Sequence, residues 1–196
     1  MGRFFAPDGG GATASFDETE AGLLRAYAAQ MLELVDARDG AGGTAEDLIA
    51  SAFSEGPTEL PEDPALARLF PDAYTDLGPD GDAAAASAEF RRYTENDLRA
   101  RKRDDAQAVI DSLEALAPEG RARQQLRLDA DGCRHWLGAL NDLRLVIASR
   151  LEINDDDDFE ELLELPEDDP RHPLALVYGW LTTLQDTLVE AMMRSL

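Results

Sequence analysis

The sequence predicts a mainly α fold: a helical bundle of about four to six helices with a small β-hairpin or three-stranded element. Three observations predict it. Apolar residues recur at helical spacing over long stretches, most densely from Trp136 to Leu151. Short extended pieces occur only near Phe4 to Phe16 and at Gln124 to Leu128. Pro and Gly cluster between the periodic stretches rather than inside them. A chain of 196 residues with 44% hydrophobic content is long enough for one sizeable core. The expected organisation is a single helical domain over 1–196, with an irregular Pro-rich segment at 54–82 and an acidic loop at 152–169.

Taken in order, Phe4-Phe5 and Ala12 to Phe16 flank a Pro7-Asp8-Gly9-Gly10-Gly11 turn cluster, which predicts a hairpin. Ser15 or Asp17 caps the next helix, with Glu18 or Glu20 three residues on. Leu23, Leu24, Tyr27, Met31, Leu34 and Val35 carry that helix to about Arg38. Gly40 to Gly43 breaks it, and Thr44 is a candidate cap for a weaker helix over Ala45 to Phe53. Pro57, Pro61, Pro64, Pro71 and Pro79 then predict irregular structure, tethered to the core by Leu66, Leu69, Phe70 and Tyr74.

Asp80-Gly81-Asp82 precedes Ala83 to Leu116, where Phe90, Tyr93, Leu98, Val109, Ile110, Leu113 and Leu116 mark the expected buried side. The middle is nearly all charge. No Gly or Pro interrupts it, which favours one long helix over two meeting near Arg103 and Asp104. Gln124 to Leu128 reads as a strand feeding an Asp129 N-cap, echoing Ala14-Ser15-Phe16-Asp17, so the extended pieces can pair into one small sheet.

The central helix follows, with Trp136, Leu140, Leu143, Ile147 and Leu151 on one face. Glu152 to Asp169 holds eleven acidic residues and no basic one, which predicts a short amphipathic turn on a solvated loop. Pro170 and Pro173 suit the start of a final helix, Leu174 to Met192. Val177, Tyr178, Leu181, Leu184, Leu188 and Met192 form one stripe there, while Leu176, Trp180 and Ala191 lie on another. A helix apolar on two sides is buried centrally or forms a subunit contact, so a homodimer through this helix is expected.

Eighteen Lys and Arg against 41 Asp and Glu give a formal charge of -23. That field repels phosphate backbones and disfavours direct nucleic-acid binding, while it suits a basic protein partner. One cysteine excludes an internal disulfide, and no secretory signal is visible at the N-terminus, which together predict a cytoplasmic protein. Gln185, Asp186 and Glu190 punctuate the final helix, so no membrane span is expected.

No nucleophile elbow, phosphate loop or paired-histidine helix is present, so no catalytic residue, cofactor or metal is assigned and no enzyme is expected. Asp155 to Asp158 fails as an EF-hand, because Glu160 stands where Gly is needed and Pro166 where Glu is needed.

Several residues carry a functional reading beside a structural one. Cys133, near a helix start beside Arg134 and His135, is a possible redox thiol. Its alignment with Leu137 and Leu140 favours a packed, inert one. Asn141, Asp142 and Arg144 interrupt the central helix, as an internal polar lock or a binding site, with Trp180 and Gln185 as further interaction residues. Arg92, Arg99 and Arg103 share a stripe, but pairs such as Glu95 with Arg99 and Arg101 with Asp105 predict a solvated salt-bridge lattice.

Leu140-Asn141-Asp142-Leu143-Arg144-Leu145 with Ser149-Arg150-Leu151, and Val177-Tyr178-Gly179-Trp180-Leu181 with Leu184-Gln185-Asp186-Thr187-Leu188, resemble an actinobacterial family of unknown-function domains. Its members are called AosR-like oxidative-stress regulators. Pro71-Asp72-Ala73-Tyr74 and Glu89-Phe90-Arg91-Arg92-Tyr93-Thr94-Glu95 resemble further motifs of that family. The resemblance implies a cytoplasmic regulator that senses oxidants by cysteine pairing and acts with an alternative sigma factor. Gene neighbourhoods in the family add a protease-adaptor system as a partner class. Cys133 alone cannot form an internal pair, so sensing does not carry over residue by residue. The expected function is a non-enzymatic regulatory protein acting through protein-protein interaction. The alternatives are a redox-responsive transcriptional regulator using Cys133 and a metal-dependent enzyme.

Overall fold

A computed structural model describes residues 4–37, 56–76, 82–116 and 123–194. Chain order is β1 (Ala6–Asp8), β2 (Gly11–Phe16), α1 (Glu18–Asp36), α2 (Pro64–Leu69), α3 (Ala83–Glu114), β3 (Gln124–Leu128), α4 (Ala130–Arg150), α5 (Asp156–Leu163) and α6 (His172–Arg194). The fold is mainly helical, with one three-stranded antiparallel sheet ordered β1-β2-β3. The helix expected over Ala45 to Phe53 lies outside the described residues.

The hairpin forms around a tighter turn than expected, with β1 later and β2 starting one residue earlier. Asp8 pairs with Gly11, leaving Gly9 and Gly10 as a two-residue loop with φ of +55° and +94°. Positive φ at both loop positions is the type I′ geometry that matches strand twist. Pro7 therefore falls inside β1, where an edge strand tolerates its missing N–H. Phe5, expected in the strand, is instead a core residue 5.5 Å edge-on from Trp136, and its N–H donates to Thr187 Oγ1 at 3.3 Å. Ala12, Ala14 and Phe16 of β2 alternate inward with Leu126 and Leu128 of β3.

Asp17 and Glu20 cap α1 reciprocally, each accepting the other's backbone N–H at 2.9 Å. Leu24, Ala28, Met31 and Val35 bury its inner stripe. Asp129 caps α4 by accepting from Gly132 N–H, and Trp136 at the centre is fully buried against Phe5 and Phe16.

Two expected loops hold helices. Within the Pro-rich segment, Asp63 caps α2 and Pro64 occupies its first turn, where a missing N–H costs nothing. Leu66, Leu69 and Phe70 are buried; the Tyr74 side chain is 41% exposed, and this residue tethers through its backbone, whose N–H donates to buried Ser87 Oγ at 3.0 Å and whose carbonyl accepts from it at 2.9 Å. In the acidic loop, Asp155 and Asp158 form a capping box that starts α5, whose Leu162 reaches the core.

The single long helix α3 is present, but its first half turns the opposite face inward from the one expected. Phe90, Tyr93 and Leu98 are exposed, while Ser87, Arg91, Glu95 and Arg99 are buried. Glu95 bridges both arginines at 2.8 Å. Arg91 also donates to the Phe70 carbonyl and pairs with Asp72, and Arg99 donates to the Val35 carbonyl and lies 4.4 Å from the Phe70 ring centroid. The polar face goes inward because chain ends near Val35 and Phe70 present carbonyls that need donors. Glu95 and Arg99 therefore belong to the interior, not to a solvated lattice, and Asp105 pairs with His135 rather than Arg101.

Candidate functional site

The polar residues of α4 divide between two interfaces. Residues two apart on a helix stand about 200° apart, so Asp142 and Arg144 point to opposite sides. Asp142 turns toward α3, where its Oδ1 accepts from Lys102 Nζ at 2.7 Å. Burial holds its carboxyl pKa above the usual value; Lys102 opposes the shift and Asp105 adds to it. Asp105 is itself buried, with Oδ1 2.7 Å from His135 Nδ1. Gly138 makes this possible, because a Cβ there would lie 2.3 Å from Asp105 Oδ2. The cluster of Lys102, Asp105, His135 and Asp142 was not expected from the sequence. Gly138, set amid the central apolar run, was its one visible trace.

Arg144 turns toward α6. Its Nε donates to Thr182 Oγ1 at 2.9 Å, Nη1 to Gln185 Oε1, and Nη2 to the Tyr178 hydroxyl at 3.4 Å. The guanidinium carbon lies 5.3 Å from the Tyr178 ring centroid. Tyr178 meets Phe159 of α5 edge-on at 5.0 Å, tying α4, α5 and α6 together. Gln185 thus joins Arg144, while Asn141 is exposed and turns its side chain to Asp142. Trp180 is half-buried against the core, and Ala191 belongs to the buried stripe; Leu176 alone of that expected second face is fully outward, at 52% exposure.

A small polar cavity of about 150 Å³ opens beside this junction, lined by Arg68, Asn141, Arg144, Asn154, Asp155 and Tyr178. Arg68 Nη1 donates to the Ile153 carbonyl at 2.9 Å. Neither Arg68 nor Arg144 has a carboxylate partner among the described residues, whereas most other described arginines do.

Cys133 lies on the other end of α4, buried, at the wall of a mainly apolar cavity of about 310 Å³ with Leu137, Met192 and Met193. Burial pushes its thiol pKa up; a backbone hydrogen bond from Ala12 and the Arg134 charge oppose that, and Asp129 adds to it. The thiol form is therefore favoured over the reactive thiolate in this conformation.

On the outer face of α3, Phe90 is 47% and Tyr93 61% exposed. Tyr74 packs edge-on against Phe90 at 6.1 Å, and the Arg92 guanidinium lies 5.0 Å from the Tyr93 ring centroid. This patch was also missed, since its aromatic residues were assigned to the core. Among the described residues there is no group of three or more potential metal ligands, and no helix is long and apolar enough to cross a membrane.

The family described as "Domain of unknown function (DUF2017)" matches residues 1–192 of the chain. A "Putative oxidative stress regulator AosR" of Mycobacterium leprae (strain TN) is 35% identical over 185 residues, spanning 89% of this chain and 79% of the relative. The "Oxidative stress regulator AosR" of Mycobacterium tuberculosis (strain ATCC 25618 / H37Rv) is 35% identical over 187 residues, spanning 90% and 79%. No solved structure matches.

Proposed function

This chain belongs to the DUF2017 family, and from that premise we propose that it is a non-enzymatic cytoplasmic regulatory protein that acts by binding another protein. The names of its relatives support the regulatory part. The outer face of α3 supports the binding part. Tyr, Phe and Arg are the residue types that concentrate binding energy at interfaces, and here Tyr74, Phe90 and Tyr93 stand together on one exposed surface, with the half-buried Arg92 guanidinium against the Tyr93 ring. An alternative sigma factor and a protease adaptor are the partner classes the family resemblance favours. In this reading Cys133 is a packing residue rather than the sensor, because its thiol is buried and its pKa raised.

The test is capture of a purified alternative sigma factor, and separately of a protease adaptor, from the same organism. Phe90→Ser and Tyr93→Ser are expected to weaken capture at least tenfold at unchanged melting temperature, as truncated anchor residues do at about 1.4 kcal/mol per tenfold. Undiminished capture by both variants overturns the assignment of this face.

Self-association through α6 is a second contact we infer, carried by the outward Leu176 beside half-buried Trp180. Light scattering that finds only monomer across micromolar concentrations overturns it.

A further inference from the structure

The polar cavity beside Arg144 has the chemistry of a ligand site. In a chain of charge -23, carboxylates are abundant, yet neither Arg68 nor Arg144 pairs with one among the described residues. Every acceptor they use is neutral: the Ile153 carbonyl for Arg68, and Thr182, Gln185 and Tyr178 for Arg144. Nη1 and Nη2 of Arg144 each donate once and keep a second N–H, and the Nη2 nitrogen of Arg68 donates to nothing among the described residues. Arginine's fork of donors is suited to hold a carboxylate by two parallel bonds.

Acceptors line the same space. Asp155 Oδ1 receives the Asp158 N–H, which leaves Oδ2 without a partner among the described residues. The Asn154 amide nitrogen donates to the Glu152 carbonyl, and the Asn141 side chain donates to Asp142, so the amide oxygens of both remain to accept. Leu145, Ala148 and Ile153 supply the apolar part of the wall.

Paired guanidiniums, a carboxylate with amide oxygens, and a short apolar wall match the three parts of an α-amino acid. We propose that this cavity binds a small free α-amino acid, its carboxylate on Arg68 and Arg144 and its ammonium on Asp155. The size agrees: about 150 Å³ lies below the roughly 300–1,000 Å³ of sites for drug-sized ligands. Charge argues against phosphate, because Asp155 and the acidic protein field both oppose a dianion. The assignment does not depend on the regulatory reading and concerns a different face from the α3 patch. Because α2, α4, α5 and α6 all contribute side chains or flank it, a bound amino acid would brace these helices against one another.

Calorimetric titration of the full chain with L-alanine, L-serine, acetate and inorganic phosphate tests it. Saturable binding of the amino acids, with acetate at least tenfold weaker and phosphate silent, is the expected result. Arg68→Gln and Arg144→Gln should each weaken L-alanine at least tenfold. Asp155→Asn keeps the helix cap and should weaken L-alanine while sparing acetate. If Arg144→Gln fails to fold, Arg68→Gln and Asp155→Asn carry the test. Phosphate binding without amino-acid binding, equal binding by all variants, or no heat from L-alanine and L-serine at millimolar concentration overturns the proposal.

Discussion

Lys102 and Asp142 meet across the α3 and α4 interface with Nζ 2.7 Å from Oδ1, their side chains 14% and 5% exposed. Lys102 is also the only lysine in the sequence. Removing one member of a buried pair strands the other charge, at a cost of about 3 kcal/mol or more. Lys102→Met should therefore lower the unfolding free energy by about that much in urea titrations. Adding Asp142→Leu should recover most of the loss, since an apolar pair of similar volume removes the stranded charge.

The same carboxylate gives a pH dependence of known sign. Asp142 has its pKa raised in the fold, chiefly by burial, so the folded chain holds this proton to higher pH than the unfolded chain does. Its stabilising contribution is full below the unfolded value and is lost as pH rises through the raised folded value. Asp142→Asn, neutral throughout, should abolish this component: the stability of wild type relative to the variant should fall with rising pH across that window. Urea unfolding repeated over a pH series from 3 upward measures it, and a constant difference would count against the raised pKa.

Glu95 holds Arg91 and Arg99 together in the interior, with both ion pairs at 2.8 Å. Glu95→Ala should cost about 3 kcal/mol or more, or roughly 10 °C in Tm for a chain of this length. Because the site is buried, the loss should change little between low and moderate salt.

Gly138→Ala and Gly22→Ala should move stability in opposite directions. The first places a Cβ 2.3 Å from Asp105 Oδ2 and forces the carboxylate off His135; the second meets nothing within 4 Å. Overpacking costs about 1–3 kcal/mol and outweighs the helix-propensity gain of about 1 kcal/mol at Gly138. At Gly22 the gain stands alone, at about 0.4–1 kcal/mol. Thermal melts of the two variants side by side check the pair.

Cys133, 1% exposed with its pKa raised, should resist an aromatic disulfide reagent in native buffer and react promptly once urea unfolds the chain. Rapid stoichiometric reaction of the native protein would restore a sensing role to this thiol.

The sequence was readable where one face is apolar and local. The stripes of α1, α4 and α6 and the Asp17 and Asp129 caps lie within a few residues of the signals that mark them. It misled in the first half of α3, where aromatic spacing suggested a core face. What turns Arg91 and Arg99 inward is the pair of carbonyls at Phe70 and Val35, 21 and 64 residues away in sequence. The acidic run hid α5, since Asp158 serves as a capping partner while also looking like one more solvated charge. Asn141, Asp142 and Arg144 read as one group because they are adjacent in sequence. Helical geometry alone already separates Asp142 from Arg144, and the structure gives them different partners. The polar cavity was beyond reach because Arg68 joins it from another helix.

The bond from Phe5 N–H to Thr187 Oγ1 spans 182 positions along the chain. At ribosomal rates of about 5–20 residues per second, roughly 10–40 s pass between the synthesis of these two residues. Throughout that interval the amino-terminal hairpin exists without the last helix it packs against, and until β3 emerges β2 also has an unpaired edge. Completion of this fold is thus timed by the emergence of α6: the sheet and its aromatic cluster can close once β3 and Trp136 have appeared, but the amino-terminal hairpin gains this packing partner only when α6 is free to arrive.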